Sequence, residues 1–424
     1  MPIVYLRHSA TTPLDPRVAA LISVLLAEDP RTEGGLLADG RRIAGILADS
    51  RAAVARFAHV APDEIVFTSS GTEACNLALK GIAMARWRDH GPTGRILVAS
   101  TEHTAVLYPA RTLGKLGFEI AEIPVDPDGL VEPGVVADMM GTETFLVCVA
   151  GVTSETGTVQ PLREIARVAH DRGALLHADL CLAAAGIDLD LRALGADLAS
   201  FSAHKLGGPR GTGALYARQG VRLAPQIEGG LGESGRRGGA ENVAGIAGFA
   251  AAAGYRREAI VSCGPALSAM TSRLEDALLS VEGVTLNGPG RSRTATLSVE
   301  GVTLNGPGRN RTATPSVEGA TLNGPARARM AGIINVSVAG LDGEALLLKL
   351  ASSGIAASSG SSCLTEIGKP SHVLTAMGVA PELARGSLLF SLGPDTTMDE
   401  IDHVIAVFPR VVAALRGISI RRGA

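Results

Sequence analysis

The most informative part of this sequence is Ala174-Leu175-Leu176-His177-Ala178-Asp179, a short apolar run ending in an aspartate, together with the later Ser202-Ala203-His204-Lys205. A lysine amine can form a Schiff base, and a carboxylate can hold a pyridinium nitrogen. Nearby hydroxyl and imidazole groups can bind a phosphate. These groups are the minimum set for chemistry with pyridoxal 5'-phosphate (PLP), so the chain is predicted to be an enzyme.

Short apolar runs alternate with helical patterns between about residues 60 and 220. This alternation is typical of an α/β protein whose mainly parallel sheet is covered by helices. The patterns predict strands over 65–67, 96–99 and 145–149, and helices over 73–80 and from 162 to before Gly173. The candidate chemical groups lie at or just after strand ends, and ligands bind at that edge of open parallel sheets.

The composition indicates a soluble globular protein of one large and one smaller domain. The chain has 424 residues, of which 46% are hydrophobic and 19% charged, and a net charge of -3 with scattered basic residues. This charge gives no electrostatic case for binding nucleic acid or an anionic membrane. No apolar run is long enough to span a bilayer, and the first residues lack the order of a signal peptide, so a cytoplasmic location is predicted.

The five cysteines show neither CxxC spacing nor clustering with histidines. The sequence therefore predicts no disulfide framework and no metal site. All except Cys363 are expected to be small hydrophobic residues of the core.

A tandem repeat interrupts the C-terminal half of the chain, near residues 280–333. Similar decapeptides begin at Ser280, Ser298 and Ser316, a period of 18 residues. Three copies within one domain argue against a solenoid. We expect a local duplication that forms an exposed, Gly- and Arg-rich excursion, since loops tolerate insertions. A loop that docks a partner is the alternative.

Seven motifs occur in order along nearly the whole chain, at 5–16, 68–76, 101–103, 157–161, 177–179, 202–205 and 358–363. Together they resemble cysteine desulfurases of the NifS/IscS type, a branch of the class V aminotransferase superfamily. The resemblance implies fold type I of the PLP-dependent transferases, with a large PLP-binding domain over 16–255 and a smaller α/β domain from 1–15 and 256–424. It also implies a homodimer.

The resemblance assigns roles to individual residues. Lys205 would bind PLP covalently, Asp179 would bond the pyridine nitrogen, and His103 would stack on the ring and relay protons. Catalysis would rest on Lys205, His103 and Cys363. The cofactor-binding residues would be Gly71, Thr72, His103, Ser154, Asp179, Ser202, His204 and Lys205. Gly71 and Thr72 stand at a helix start, where backbone N–H groups favour a phosphate.

Cys363 lies in a stretch of small residues, 357–365, that would let its thiol move. In the family, this thiolate takes the sulfur of L-cysteine, leaves L-alanine, and passes the resulting persulfide to a sulfur-acceptor protein. The stretch from Cys363 to Pro370 has the longer form found in the NifS/IscS branch, which predicts a loop able to reach that partner.

The chain departs from the family pattern at several positions. Ser154 replaces the usual asparagine, Leu182 replaces a glutamine that bonds the ring hydroxyl, and 237–240 reads Arg-Gly-Gly-Ala instead of Arg-Ser-Gly-Thr. Leu389 replaces the arginine that binds the substrate carboxylate, and Arg7-His8 precedes the first Ser-Ala-Thr-Thr motif.

The loss of that arginine leaves the ligand of the substrate carboxylate open. Arg7, Arg385 or another nearby cation could bind this carboxylate, or the natural substrate could differ. The main hypothesis is a cysteine desulfurase. The alternatives are a PLP enzyme of the same fold with another amino acid or thiol substrate, and a non-catalytic homologue that binds a partner.

Overall fold

The computed structural model describes residues 3–28, 36–290, 328–359 and 370–422. Its strands are β1 Val4–Tyr5, β2 Ile65–Thr68, β3 Arg95–Ala99, β4 Glu119–Ile123, β5 Thr144–Cys148, β6 Leu175–Asp179, β7 Leu198–Ser202, β8 Gly213–Ala217, β9 Val284–Asn287, β10 Ile333–Val338, β11 Ile355–Ala356 and β12 Ser387–Ser391. Its helices are α1 Pro16–Ala27, α2 Leu36–Phe57, α3 Gly71–His90, α4 Thr104–Lys115, α5 Pro133–Met139, α6 Leu162–His170, α7 Leu191–Leu194, α8 Val243–Leu279, α9 Gly343–Ser352, α10 His372–Ala376, α11 Pro381–Arg385 and α12 Met398–Arg422.

Seven strands form the central sheet, in the order β2-β8-β7-β6-β5-β3-β4. All of them are parallel except β8, which is antiparallel to both of its neighbours. Strand residues such as Val147, Leu176 and Leu198 are fully buried, because hydrophobic clusters cover both faces of the sheet. The predicted α/β fold with a mainly parallel sheet is thus confirmed.

A smaller antiparallel sheet, β12-β10-β9, forms the C-terminal sheet of the molecule. The short parallel pair β1-β11 lies beside it, and single bridges join Arg7 to Ser391 and Ser358 to Leu389. A separate hydrophobic cluster fills the space under this sheet. The N-terminal segment therefore packs with the C-terminal part of the chain.

The predicted elements are present, with shifted ends. The helix expected over 73–80 is α3, which begins earlier, at Gly71, and continues to His90. It continues past Lys80 because Ile82 and Ala83 remain on its buried face, and it ends at Gly91, whose φ of 73° breaks the helix. Within the described ranges, no helix is both long and apolar enough to cross a membrane.

Two predictions about chain organisation stay open. The domain boundary predicted between residues 255 and 256 falls within the continuous helix α8. The second repeat unit and most of the third lie outside the described residues. The first unit is described as far as Gly290, and this part contains strand β9.

The expectation that four cysteines lie in the core is half right. Cys75 and Cys148 are fully buried, but Cys181 and Cys263 are partly exposed. Cys181 follows the end of β6, where it lines a cavity, and Cys263 lies in the less buried middle of α8. The sequence pattern did not predict this exposure, because apolar neighbours in sequence do not show which side chains the folded chain leaves partly exposed.

Candidate active site

A cavity of about 340 Å³ opens between the carboxyl edge of the central sheet and the C-terminal sheet. The edge collects the ends of β3, β5, β6 and β7, so groups that are distant in sequence meet there. All eight predicted cofactor-binding residues line this cavity, namely Gly71, Thr72, His103, Ser154, Asp179, Ser202, His204 and Lys205.

Lys205 and Asp179 reach the cavity from neighbouring parallel strands. Asp179 is the last residue of β6, and Lys205 follows β7 by one short turn of 3₁₀ helix. The Lys205 Nζ donates a hydrogen bond to the carbonyl oxygen of Ser9. Burial lowers the pKa of Lys205, against the opposing effect of Cys181 and Asp179. This shift increases the fraction of neutral amine, which is the nucleophilic form.

Asp179 is held in place by its own loop. Its Oδ1 accepts the backbone N–H of Cys181 at 2.9 Å, and the thiol of Cys75 lies 3.8 Å from Oδ2. A carboxylate fixed in this way at a strand end can hold a cationic ring nitrogen, because the opposite charge stabilises the protonated form.

His103 caps the start of α4. Its Nδ1 accepts the backbone N–H of Ala105 at 3.1 Å, so the proton of the neutral ring resides on Nε2. Burial lowers the pKa of His103, and the nearby Lys205 lowers it further. A neutral imidazole with a defined tautomer can exchange a proton with a ligand in the cavity.

One end of the cavity has the chemistry of an anion site. Gly71 is the first residue of α3, a helix of 20 residues whose N-terminus directs free backbone N–H groups outward. The hydroxyl of Ser202 is buried and has no hydrogen-bond partner among the described residues. His204 Nδ1 lies 3.1 Å from Thr11 Oγ1, and burial lowers the pKa of His204 to about 4.

The structure also locates the departures from the family pattern. Leu182 and Leu389 are buried and line the cavity as apolar side chains. Of the two candidate replacement cations, Arg7 lines the cavity, whereas Arg385 lies at the exposed end of α11 and does not. Arg237 forms an ion pair with Glu73 in the first turn of α3, with 3.0 Å between Nε and Oε1.

Cys363 lies outside the described residues, as does all of 360–369. The described residues that flank this segment lie at the cavity on one side and beside it on the other. Ser358 lines the cavity, and Ser371 donates a hydrogen bond of 2.6 Å from its hydroxyl to Oε2 of the buried Glu155. The ring of His372 lies 3.0 Å from the carbonyl oxygen of Glu102.

Glu102 lies within the motif 101–103, but the sequence pattern assigns it no role. This side chain is fully buried beside the cavity, and the backbone N–H of Ala150 donates to its Oε1. Burial raises the pKa of Glu102 to about 8, and the neighbouring Asp179 adds to the effect. The sequence did not predict the burial of Glu102, because a glutamate between two polar residues is expected to be solvent-exposed.

Glu102 predicts a pH-dependent stability. Since its folded pKa of about 8 exceeds the ordinary 4.5, the folded state binds more protons between these values, and its ionisation destabilises the fold as pH rises. Between pH 5 and 8, the free energy of unfolding should therefore fall less in Glu102→Gln than in wild type. The two losses should differ by more than about 1 kcal/mol. Urea unfolding at both pH values measures this difference. Equal losses in variant and wild type would contradict it, and the exposed Glu132→Gln is the control.

A model of the class-V aminotransferase family matches residues 4–306 and 313–404. The chain belongs to this family. A cysteine desulfurase IscS from Dictyoglomus turgidum is 34% identical over 421 residues, which cover 98% of this chain and 96% of the relative. A cysteine desulfurase IscS from Methanosarcina thermophila is 34% identical over 416 residues, with 98% and 93% covered.

The folded structure is also similar to that of a solved protein of this type. A solved NifS-like protein superposes on the structure with a TM-score of 0.81 and 28% identity, over 97% of this chain and 100% of that protein. The predicted resemblance to NifS/IscS-type proteins of the class V superfamily is confirmed.

Proposed function

We propose that the protein is a PLP-dependent cysteine desulfurase. L-Cysteine would give up its sulfur atom to the thiol of Cys363, so that its Cβ–S bond breaks, a proton replaces sulfur on Cβ, and L-alanine leaves. The enzyme thiol becomes a persulfide, which a sulfur-acceptor protein then takes up. The convergence of Lys205, Asp179 and His103 at one cavity carries this proposal, and the relatives named cysteine desulfurase support it.

The residues of the cavity fit PLP. Lys205 would bind its aldehyde carbon, Asp179 its ring nitrogen, and the N-terminus of α3 with Ser202 and His204 its phosphate. The unpartnered hydroxyl of Ser202 is the feature that a phosphate would satisfy. Bound PLP supplies an electron sink for the bonds at the substrate Cα.

The chain's own groups would manage protons and charge. Burial lowers the pKa of Lys205, which would help its amine to accept a proton from the substrate and return it. The Asp179 carboxylate would stabilise a positive charge on the ring nitrogen, and His103 would donate or accept a proton at Nε2. Leu182 offers no hydrogen bond to the ring hydroxyl, so the other contacts must orient the cofactor.

The direct test is to incubate the purified, PLP-loaded protein with L-cysteine and to quantify alanine and protein persulfide in the same sample. Equal amounts of alanine and transferred sulfur support the proposal. A cofactor spectrum that cysteine leaves unchanged would point to another substrate, and failure to bind PLP would favour a non-catalytic homologue.

Gly71→Ala should weaken PLP binding about 10-fold, a shift of about 1.4 kcal/mol. A Cβ at Gly71 would collide with Cys181 Sγ and lie 3.2 Å from the Cβ of Ser202. Fluorescence titration of the cofactor-free protein with PLP measures this effect. The double variant Gly71→Ala/Cys181→Ala removes the collision and should recover most of the affinity. Unchanged binding in Gly71→Ala would contradict the placement of the phosphate.

The proposal includes a homodimer in a reducing, cytoplasmic environment. Leu21, Val24 and Leu26 of α1 are 37%, 62% and 72% exposed, which suits a surface that another subunit covers. Reducing conditions would keep Cys363 as a thiol between turnovers. L-Cysteine and a sulfur-acceptor protein would be its partners, and the proposed function requires neither a membrane nor nucleic acid.

A further inference from the structure

The cavity offers few cations for a substrate carboxylate. Four basic side chains line it, those of Arg7, His103, His204 and Lys205. Burial lowers the pKa of both histidines, which favours their neutral forms, and Lys205 is assigned to the cofactor. The guanidinium of Arg7 is the remaining cationic group among the described lining residues.

The strand register places Arg7 beside Leu389. Arg7 pairs with Ser391 in a parallel bridge, and Leu389 stands two residues before Ser391 on β12. Because side chains alternate along a strand, Leu389 and Ser391 share one face, and paired residues point to the same side. Arg7 and Leu389 therefore lie on the same side of this ladder, about 7 Å apart along the strand direction, and both border the cavity.

Arg7 is also close to the reacting amine. Lys205 Nζ donates to the carbonyl oxygen of Ser9, which is two residues from Arg7. Two residues span at most about 7 Å. The backbone of Arg7 is therefore close enough to Lys205 for the Arg7 side chain to reach a ligand bound beside that amine. Among the described residues, no ion pair and no hydrogen bond engages the Arg7 guanidinium, which suits a role in binding a ligand.

We infer that Arg7 binds the α-carboxylate of the amino-acid substrate. The neighbouring Leu389 cannot do so, because its side chain has no hydrogen-bond donor. A guanidinium can bind a carboxylate through two parallel N–H···O bonds, which would fix the orientation of the substrate as well as its affinity. This inference rests on the proposed function, and it makes Arg7 the residue that selects amino acids over amines without a carboxylate.

The test compares two ligands of the PLP-loaded protein, L-alanine and L-alaninamide, which differ only in the carboxylate. Arg7→Leu should weaken L-alanine binding about 10- to 100-fold, the loss expected for hydrogen bonds to a charged group. L-Alaninamide binding should change less than about threefold. Visible spectral titration measures both affinities without turnover. For L-cysteine, KM should rise by a similar factor while kcat changes little.

Further variants separate a specific contact from general damage. Arg7→Lys should retain part of the affinity, because an ammonium keeps the charge but not the fork geometry. Arg7→Leu/Leu389→Arg should recover L-alanine binding, since it returns a guanidinium to the neighbouring position on the same face. Arg210→Leu removes the same charge from an exposed residue that does not line the cavity, and it is the control.

The outcomes for the inference and for the proposed function are distinct. Equal weakening of both ligands by Arg7→Leu, or an unchanged preference for L-alanine, would overturn the role of Arg7. A wild-type protein that binds L-alanine through Arg7 but releases no sulfur from L-cysteine would overturn the desulfurase function and leave the carboxylate site intact.

Discussion

Replacing Lys205 with alanine is expected to abolish the visible absorbance of covalently bound PLP and to lower desulfuration by at least about 10³-fold. In the proposed mechanism, the amine of Lys205 would be the nucleophile at the cavity and, because burial lowers its pKa, would also serve as a base for the substrate proton. None of its neighbours can replace it, because His103 is a neutral imidazole held by the start of α4 and Asp179 is a carboxylate.

Absorbance spectra and alanine production measure this effect. Lys205→Arg is a matched variant that keeps a positive charge of similar length but lacks a nucleophilic amine, and it should fail as completely. Lys115→Ala, at the exposed end of α4, should behave as wild type. A Lys205→Ala protein that retains both the spectrum and the activity would remove this lysine from the mechanism.

Cys363→Ser should keep the cofactor spectrum and still respond to L-cysteine, but it should lose at least about 99% of persulfide formation, the loss of a group worth 10²-fold or more. A serine hydroxyl cannot accept sulfur, and the reactive form of the native residue is a thiolate. The thiol of Cys181, which lines the cavity, is a poor substitute, because desolvation raises its pKa well above its ordinary value.

Mass spectrometry of the protein after reaction with L-cysteine locates the persulfide. Cys263→Ser, which changes a partly exposed thiol of α8 outside the cavity, is the control and should retain full sulfur transfer. A persulfide found on Cys181, or undiminished sulfur release from Cys363→Ser, would contradict the assignment of Cys363.

The residues that line the candidate site could be proposed from the sequence, but their spatial arrangement could not. Asp179 and Lys205 were identifiable because each lies at or just after the end of an apolar strand, and parallel strands bring such ends to one edge. Glu102 and Cys181 could not be assigned in this way, because their environments depend on burial by distant parts of the chain. The pKa of Glu102, for example, is raised by a desolvation that its neighbours in sequence do not reveal.

The sequence by itself determined the α/β fold, the family and the chemical groups of the site. The spacing of hydrophobic residues and the order of motifs are properties of the sequence, so they can be recognised without knowledge of the folded structure. Only the tertiary structure decided between Arg7 and Arg385 as the cation at the cavity. Both arginines are ordinary polar residues in sequence, and the position of Arg7 at the cavity depends on the pairing of the N-terminal segment with β12, a contact between opposite ends of the chain.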